Sequence, residues 1–336
     1  MNVHVADPTV SDDPSAIVAE AERALEDIAA VKGGVGRVVF GQESVVERAL
    51  VTILAGGHGL LVGVPGLAKT LLVETLGTVL GLDGKRVQFT PDLMPGDILG
   101  SEVMDVGEDG KRSFRFVPGP VFAQLLMADE INRASPRTQS ALLQSMQEYH
   151  VTVAGARHDL PRPFHVLATQ NPLEQEGTYP LPEAQLDRFL MQIDVEYPTI
   201  DAERRILMAT TGATVERAEN VLTADRLEAI QSLVRRMPVP ESVVEAILNL
   251  VRAVRPGTAD EDTERQISWG PGPRASQSLM LCVRARALYQ GRLAPSIDDV
   301  AALAEPVLQH RMALAFAARA EGVSVRDVIA RHASAL

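Results

Sequence analysis

The sequence contains a single cysteine and no long apolar run. Cys282 has no partner among the 336 residues, so no disulfide within the chain stabilises the fold. It lies in an apolar stretch at 279–283, which predicts a packing role in a reducing compartment. No stretch approaches about 18 uninterrupted apolar residues, and the N-terminus lacks the basic start and apolar core of a signal peptide. These absences argue against a transmembrane segment and predict a cytoplasmic protein.

Lysine is also scarce, and the charge balance is acidic. Of the 32 basic residues only four are lysines, namely Lys32, Lys69, Lys85 and Lys111. The net charge of −12 argues against a general nucleic-acid coat, which needs clustered basic residues. Because an ammonium and a guanidinium bind phosphate differently, a lysine at a phosphate-binding position stands out in this chain.

Residues 60–72 hold the pattern around which the rest of the chain is organised. A short apolar strand at 60–62 meets a loop with glycines, and the loop leads into an apolar segment of helical length. Backbone N–H groups of such a loop and the start of the helix can surround a polyphosphate. Lys69 would reach the outer phosphate oxygens, and Thr70 would offer its hydroxyl to Mg²⁺. The residues expected to bind the phosphates are Gly63, Val64, Pro65, Gly66, Leu67, Ala68, Lys69, Thr70 and Leu71.

One position departs from the general phosphate-loop pattern, which has glycine directly before the lysine. Ala68 occupies that place. Alanine keeps the N–H group, so the cradle survives provided that the backbone there is not left-handed, which would cost roughly 1–2 kcal/mol. The alternative interpretation of the motif is an ordinary Gly/Pro turn that ends in Lys-Thr.

An apolar turn precedes the phosphate loop. One helix is predicted at 15–31, ended by Gly33 and Gly34, and a second at 43–55. The turn between them can present an apolar slot to an adenine base, through Val38, Val39, Phe40 and Gly41. The alternative is an ordinary helix–turn–helix start of a domain.

The hydrophobic pattern predicts two domains. Strand candidates lie at 60–62, 86–90, 125–128, 164–168 and 191–195. Helical or loop segments separate them, which is typical of a parallel sheet with helices on both faces. Beyond 198, helices are predicted at 200–210, 223–236, 241–254, 274–290, 297–316 and 324–333, with a long loop at 256–273. We therefore expect a flexible tail at 1–14, an α/β domain at 15–197 and an all-helical domain at 198–336.

Two adjacent acids end the strand at 125–128. This places Asp129 and Glu130 at the carboxyl edge of the sheet, where α/β folds bind ligands. Asp129 can hold Mg²⁺ through its water shell, opposite Thr70, while Glu130 can orient and deprotonate an attacking water. Acids at strand ends also occur in surface turns, so the phosphate loop is what makes this pair informative.

Two further polar residues follow the later strands, and each has an ordinary interpretation beside the functional one. Asn171 can hydrogen-bond the γ-phosphate or the attacking water, but Asn-Pro is also a common turn signal. Arg188 can neutralise charge on the transferred phosphoryl group, as an arginine finger does. An arginine beside an acid is otherwise a helix-face ion pair of little energetic weight.

Together these segments resemble the MoxR family of AAA+ ATPases. The motifs that carry the resemblance occur in that family's order and approximate spacing, at 40–42, 63–70, 129–134, 168–172 and 182–189. The resemblance extends over residues 15–330, and an alanine at position 68 is familiar in the family. It implies a P-loop NTPase (AAA+) fold with a five-stranded parallel sheet, followed by a smaller all-helical lid domain.

The resemblance also implies cofactors, residue roles and partners. ATP and Mg²⁺ would be bound by the Walker A and Walker B residues Lys69, Thr70, Asp129 and Glu130, with Asn171 as sensor 1. Arg274, at the start of the helix predicted at 274–290, corresponds to the sensor 2 arginine that reaches from the lid to the γ-phosphate. Arg188 would act on the ATP of a neighbouring subunit, so the site would be completed only in a homo-oligomer, expected as a hexameric ring. Relatives often work with a protein that carries a von Willebrand factor A domain.

Two inserted stretches fit the same family. Residues 91–120 interrupt the path between strands, and residues 149–163 have the alternating pattern of a β-hairpin. In related ATPases such insertions face the central pore or the client protein. The alternative is that they are surface loops that only cap the sheet.

The sequence as a whole predicts ATP hydrolysis in a ring, coupled to remodelling or maturation of a client protein. A GTPase is disfavoured, because no lysine follows an asparagine as the base-reading motif requires. A small-molecule P-loop kinase would need neither Arg274 nor the Asp-Glu pair. Two alternatives stay open: an AAA+ motor acting on DNA, with Arg157 and Arg162 as local positive charges, and a nucleotide-gated scaffold without turnover.

Overall fold

The computed structural model describes residues 14–106, 112–174, 177–211 and 216–336. All but the last residue of the tail predicted at 1–14 lies outside the described residues, so that part stays a prediction. Among the described helices, none combines the length and the apolar character needed to cross a lipid bilayer.

The first part of the chain alternates strands and helices. Its elements are α1 (Pro14–Gly36), α2 (Glu43–Leu54), β1 (Gly59–Val62), α3 (Lys69–Val79), β2 (Gly84–Gln88), α4 (Pro95–Leu99), β3 (Gly100–Val106), β4 (Arg112–Pro118), β5 (Leu125–Asp129), α5 (Pro136–Glu148), β6 (His150–Val153), β7 (Ala156–Asp159), β8 (His165–Gln170), α6 (Glu183–Leu186) and β9 (Met191–Asp194). The second part is mostly helical, with α7 (Ile200–Thr210), α8 (Ala224–Arg236), α9 (Glu241–Ala253), α10 (Glu261–Gln266), β10 (Ile267–Trp269), α11 (Pro273–Tyr289), α12 (Ile297–Leu308), β11 (Ala313–Leu314), α13 (Phe316–Ala320) and α14 (Val325–Ala333). Turns of 3₁₀ helix lie at Ile131–Arg133 and Gln309–Arg311.

Five strands form one parallel sheet in the order β2-β5-β8-β1-β9, which confirms the predicted fold class. All five strands therefore end at the same side of the sheet, called the carboxyl edge below, and begin at the opposite side, the amino edge. The four residues of β1 separate the two edges by about 13 Å, at about 3.3 Å per residue. Every residue of β5 is buried, as expected of a strand covered on both faces.

Successive residues of the central strands enter different cores. Leu61, Leu125 and Met127 belong to the core that contains α2, α3 and the lid helices. Leu60 and Leu126 belong to the other core, which is built mainly with α5. This alternation is the strand period of two, and it places helices on both faces of the sheet.

The lid shares the first core with the α/β domain. Cys282 is fully buried in it, in accord with the predicted packing role. The helix α1 contacts α3 of the α/β domain as well as α8 and α11 of the lid. It continues through Gly33 and Gly34, where the sequence predicted its end. A Cβ at Gly34 would lie 3.2 Å from a methyl carbon of Val79, so glycine there lets α1 approach α3 closely.

Two features of the lid differ from the sequence prediction. The segment predicted as a loop at 256–273 contains α10 and β10, and β10 pairs with β11 in a two-stranded antiparallel sheet, so the lid is not purely helical. The helix predicted at 297–316 ends at Leu308. Pro306 has no N–H to donate within its last turn, and the 3₁₀ turn and strand that follow bind β9 and β10 instead.

Both inserted stretches form β-hairpins, which confirms the one predicted at 149–163. Residues 91–120 contain α4 and the β3–β4 pair, and residues 149–163 contain the β6–β7 pair. The ring of Phe116 stacks on the ring of His158 with centroids 3.9 Å apart, so the two hairpins touch. Several large apolar side chains of the β3–β4 hairpin are exposed, including Met104 and Phe114.

Candidate functional site

The phosphate-loop residues lie at the carboxyl edge, where β1 ends. A Cβ at Gly63 would lie 2.6 Å from the carbonyl oxygen of Val195, so glycine is required there. Gly66 has a φ of 86°, a conformation that favours glycine. Pro65 and Gly66 are exposed, and the loop runs into the 11-residue helix α3. The loop therefore presents an accessible backbone cradle at a helix N-terminus, the arrangement that binds phosphate.

Ala68 has a left-handed backbone, with φ 55° and ψ 24°, and it caps the N-terminus of α3. The condition set for it in the sequence prediction is therefore not met, and the position carries strain of roughly 1–2 kcal/mol. The strain identifies this residue as the place where the general motif has glycine. Leu67 packs against the first core, whereas Leu71 is exposed.

Lys69 folds back over its own loop. Its ammonium donates hydrogen bonds to the carbonyl oxygens of Gly63 at 2.6 Å and Val64 at 2.7 Å. Partial burial lowers the pKa of Lys69, and the nearby charges of Asp129 and Glu130 oppose that shift. The lysine is therefore held over the cradle next to both acids. Thr70 follows it as the second residue of α3 and is half-buried.

Asp129 ends β5 with both carboxylate oxygens engaged. Oδ2 accepts hydrogen bonds from Arg86 Nη2 at 2.6 Å and Nε at 3.2 Å. Oδ1 accepts one from the hydroxyl of Thr169 at 2.5 Å. The carboxylate is thus fixed by side chains of the two strands that flank β5, namely β2 and β8.

Glu130 also has a left-handed backbone, with a φ of 54°. Its N–H donates to the hydroxyl of Thr169 at 2.8 Å, so one threonine positions both acids. Glu130 Oε2 accepts hydrogen bonds from Gln88 at 2.7 Å and from Arg133 at 2.8 Å. The carboxylate that would activate water is therefore held by two side chains in this structure.

Asn171 follows β8, which lies between β5 and β1 in the sheet. It is 5% exposed, and its Oδ1 accepts a hydrogen bond from the N–H of Leu173 at 3.1 Å. The side chain therefore makes the local turn of the ordinary interpretation. Its place between the acids and the phosphate loop is also the place that the functional interpretation requires.

The apolar turn before α2 reaches the same edge. Gly41 has a φ of 69°, and a Cβ there would lie 2.2 Å from Cβ of Ala202 in the first turn of α7. The side-chain amide of Gln42 donates to the carbonyl oxygen of Glu196 at 3.2 Å. Val39 is buried in the first core, whereas Phe40 is half-buried. The turn thus lies beside the phosphate loop, and Phe40 is its more accessible apolar side chain.

The two arginines lie at the opposite edge. Arg188 precedes β9, and the nearby Leu190 N–H donates to the carbonyl oxygen of His58, which precedes β1. Arg274, in the first turn of α11, forms an ion pair with Asp187 at 3.6 Å. Burial and the positive charge of Arg274 lower the pKa of Arg188. The structure therefore places Arg274 with Arg188 at the amino edge, and not with the phosphate loop of its own chain as a lid-to-phosphate contact would need.

A third arginine holds the turn that carries Arg188. Arg311 is 1% exposed and donates to the Asp187 carboxylate at 2.7 Å and to the carbonyl oxygen of Phe189 at 2.7 Å. It also donates to the carbonyl oxygens of Leu190 and Val307. The guanidinium therefore ties the end of the lid helix α12 to the arginine-bearing turn.

Sequence reasoning missed four side chains that position the predicted ones: Arg86, Gln88, Thr169 and Arg311. Arg86 and Gln88 are two residues apart on β2, so they share a face of the strand, and Gln88 is paired in register with Asp129. The two-residue period of the strand was the sequence pattern that could have indicated Arg86 and Gln88. Arg311 contacts residues more than 100 positions away, and no local pattern reveals such a contact.

Comparison with known proteins shows which family the chain resembles. Residues 58–191 match the model of the ATPase family associated with various cellular activities (AAA), and residues 259–331 match the AAA lid domain. The chain is 41% identical over 330 residues to the chaperone MoxR1 of Mycobacterium tuberculosis, covering 98% of this chain and 85% of the relative. It is 33% identical over 300 residues to the protein MoxR of Methylorubrum extorquens, covering 83% of this chain and 85% of that protein.

A solved structure gives the same result for the fold. A candidate ATPase from Cytophaga hutchinsonii is 37% identical to this chain and superposes with a TM-score of 0.88, covering 97% of this chain and 99% of the other. Three findings lead to one assignment. They are the sequence identity over nearly the whole chain, the matched ATPase and lid domains, and the phosphate loop at the sheet edge. The chain belongs to the MoxR family of AAA+ ATPases.

Proposed function

We propose that this chain hydrolyses ATP in a ring of identical subunits and uses the cycle to remodel or mature a client protein. One observation carries the ring part of the proposal. The phosphate loop and the acids lie at the carboxyl edge of the sheet, whereas Arg188 and Arg274 lie at its amino edge. One copy therefore does not bring its own arginines to its own phosphates, and a neighbouring copy can supply them. We expect six copies, as the family resemblance implies.

Each residue of the carboxyl edge has a role in this proposal. The loop N–H groups and Lys69 bind the ATP phosphates, and Phe40 contributes to the adenine slot. Glu130 takes the proton of the attacking water, and Asn171 orients that water or the γ-phosphate. The Thr70 hydroxyl and the Asp129 carboxylate are the oxygen donors that Mg²⁺ prefers, so these residues fit the ion. Bound Mg²⁺ would neutralise charge on the phosphates.

A mixing experiment tests whether sites are shared between subunits. Glu130→Gln lacks the base, and Arg188→Ala lacks the finger, so each variant alone should lose most of its ATPase rate. In a mixed assembly, an Arg188→Ala subunit keeps its own Glu130 and receives Arg188 from a Glu130→Gln neighbour. We expect the mixture to recover a substantial part of the wild-type rate, measured as phosphate release.

Two results would contradict shared sites. The first is a mixture no faster than the average of the two variants. The second is an Arg188→Ala protein that hydrolyses ATP as fast as the wild type. Arg319→Ala, which changes an exposed arginine of α13, is the control and should leave the rate unchanged. A Glu130→Gln protein with the same ATPase rate as the wild type would instead support a nucleotide-gated scaffold.

The β3–β4 hairpin supports the client part of the proposal. Met104 and Phe114 are paired across its strands, and both are exposed, at 49% and 69%. An apolar pair on a projecting hairpin is suited to an unfolded or partly folded protein segment. We expect an ATP-trapping Glu130→Gln variant to co-purify with client protein, and the same variant carrying Met104→Ser and Phe114→Ser as well to lose that client. With Glu130 intact, the two serine substitutions should leave the basal ATPase rate unchanged.

If the same client proteins co-purify with and without the two serine substitutions, the β3–β4 hairpin does not bind the client. Stimulation of the ATPase by single-stranded or duplex DNA, with a steep salt dependence, would favour the motor acting on DNA. A partner with a von Willebrand factor A domain remains part of the proposal through the family resemblance. A cytoplasmic location remains part of it through the sequence prediction.

A further inference from the structure

The metal-binding carboxylate of the proposed site already has a cation on it. Arg86 places Nη2 2.6 Å and Nε 3.2 Å from Oδ2 of Asp129. The other oxygen, Oδ1, is taken by Thr169. Asp129 is only 9% exposed, so its carboxylate needs a partner for its charge. The guanidinium of Arg86 carries a fixed positive charge and neutralises it.

Arg86 is placed so that it can leave without disturbing the core. It lies on β2, which is one of the two edge strands of the sheet, and its side chain is 49% exposed. Its remaining side-chain contact in the described residues is a hydrogen bond to Gln88 at 3.2 Å. Thr169 differs in this respect, because it is 1% exposed and also binds the N–H of Glu130. Arg86 is therefore the solvent-accessible partner of Asp129, and Thr169 is the buried one.

We propose that Arg86 is the resident counter-ion of Asp129 in the metal-free site, and that a divalent ion bound with nucleotide displaces it. This inference rests on the proposed nucleotide site. A divalent cation and a guanidinium at one carboxylate repel each other, so the ion pair competes with metal binding. Arg86 thereby sets how tightly the site holds its metal, and it is a positioning residue.

The test measures metal affinity instead of turnover. Mn²⁺ is titrated into ADP-saturated protein, and free Mn²⁺ is followed by electron paramagnetic resonance. Arg86→Gln should bind Mn²⁺ about fivefold more tightly than the wild type, the size of effect expected for a partly exposed ion pair. The matched control is Lys85→Gln, which removes the same charge from the neighbouring residue of β2, where the ammonium contacts the carbonyl oxygen of Phe122. It should leave the affinity unchanged.

Unchanged or weaker Mn²⁺ binding in Arg86→Gln would overturn the inference, since a purely structural arginine would help to hold Asp129 in place for the metal. Equal tightening in Lys85→Gln would also overturn it, because the effect would then be one of net charge. If Arg86→Gln does not fold, Arg86→Lys carries the test. Its single ammonium holds Oδ2 less tightly, so binding should tighten by about twofold, and no tightening would contradict the proposal.

The nucleotide itself separates this inference from the proposed function. ADP binding is measured by calorimetry with EDTA present, so that no metal contributes. If all variants bind ADP and also bind Mn²⁺ equally tightly, the proposed role of Arg86 is wrong but the proposed function stands. Absence of ADP binding to the wild type would remove the proposed function and this inference together.

Discussion

At the scale of single residues, the site depends on backbone conformations that its side chains do not favour. Ala68 and Glu130 both have left-handed backbones, at the start of α3 and directly after β5. Such residues are strained unless the surrounding structure holds them, and they concentrate where ligands bind. The sequence motifs predicted which side chains take part in the chemistry, but only the φ angles of the structure reveal the backbone strain.

Replacing Ala68 by glycine tests that strain. Glycine removes roughly 1–2 kcal/mol of left-handed strain but adds up to about 1 kcal/mol of unfolded-state entropy. We therefore expect Ala68→Gly to raise the free energy of unfolding by up to about 1 kcal/mol, measured by urea denaturation without nucleotide. Ala330→Gly, at an exposed position inside α14, should lower it by about 1 kcal/mol. A loss of stability in Ala68→Gly would show that the position is unstrained.

Removing the charge of Glu130 should separate binding from turnover. Glu130→Gln keeps an oxygen for Gln88 and Arg133 but cannot accept a proton at neutral pH. We expect its ATPase rate to fall by about 10²- to 10⁴-fold while its affinity for ATP changes little. Phosphate release measures the rate, and equilibrium binding of ATP is the control. A variant that retained its rate would exclude Glu130 as the base.

The site was predictable from the sequence where its chemistry is local. Lys69, Thr70, Asp129 and Glu130 stand in short motifs beside apolar strands, so their common edge follows from the strand pattern. Arg86 and Thr169 contact Asp129 from 43 and 40 positions away, and an arginine or threonine inside a strand gives no sign of its partner. The place of Arg274 beside Asp187 depends on how the lid packs, which the sequence did not reveal.

At the scale of elements, the lid is fastened along the whole of β9. Arg311 binds the turn before the strand, Gln309 binds Asp194 at its end, and Arg326 of α14 binds Asp194 at 2.6 Å. The lid therefore covers β9, which is the edge strand on this side of the sheet. The predicted helix at 297–316 missed this arrangement, because the α-helix ends at Leu308 and a 3₁₀ turn at Gln309–Arg311 carries the side chains that make these contacts.

The two arginines of this fastening should differ greatly in their effect on stability. Arg311 is buried, so Arg311→Met leaves Asp187 and several carbonyl oxygens without their donor, at a cost of about 3–5 kcal/mol. The side chain of Arg326 is 48% exposed, so Arg326→Ala should cost less than about 1 kcal/mol. Urea denaturation gives both values. Equal effects would mean that the buried guanidinium does not hold the turn.

At the scale of the whole molecule, buried histidines predict sensitivity to acid. Burial lowers the pKa of His58 to about 3 and that of His165 to about 4, and it holds the pKa of His310 well below its usual value. In the unfolded chain these side chains titrate near pH 6.5, so protons bind preferentially to the unfolded state below that pH. Their neutral packing contributes fully above pH 6.5 and is lost progressively as the pH falls from 6.5 towards 4.

We expect the free energy of unfolding to fall by roughly 1 kcal/mol per pH unit for each of these histidines between pH 6.5 and about 5. Chemical denaturation at a series of pH values measures the slope. His158→Gln is the control, since this histidine lies on a surface hairpin, and the variant should show the same slope. A stability that is flat across this range would contradict the burial of neutral histidines.

The separation of the arginines from the phosphate loop has a consequence for assembly. If sites are shared between subunits as proposed, each copy binds the next one head to tail, with the end of its strands against the start of its neighbour's strands. A two-fold dimer pairs identical surfaces, so it would not bring Arg188 of one copy to the phosphate loop of the other. Such contacts would repeat until the last copy meets the first, and the angle between neighbours would set the number of copies. In that ring a copy without Arg188 would impair the copy beside it, whereas a copy without Glu130 would impair only its own site.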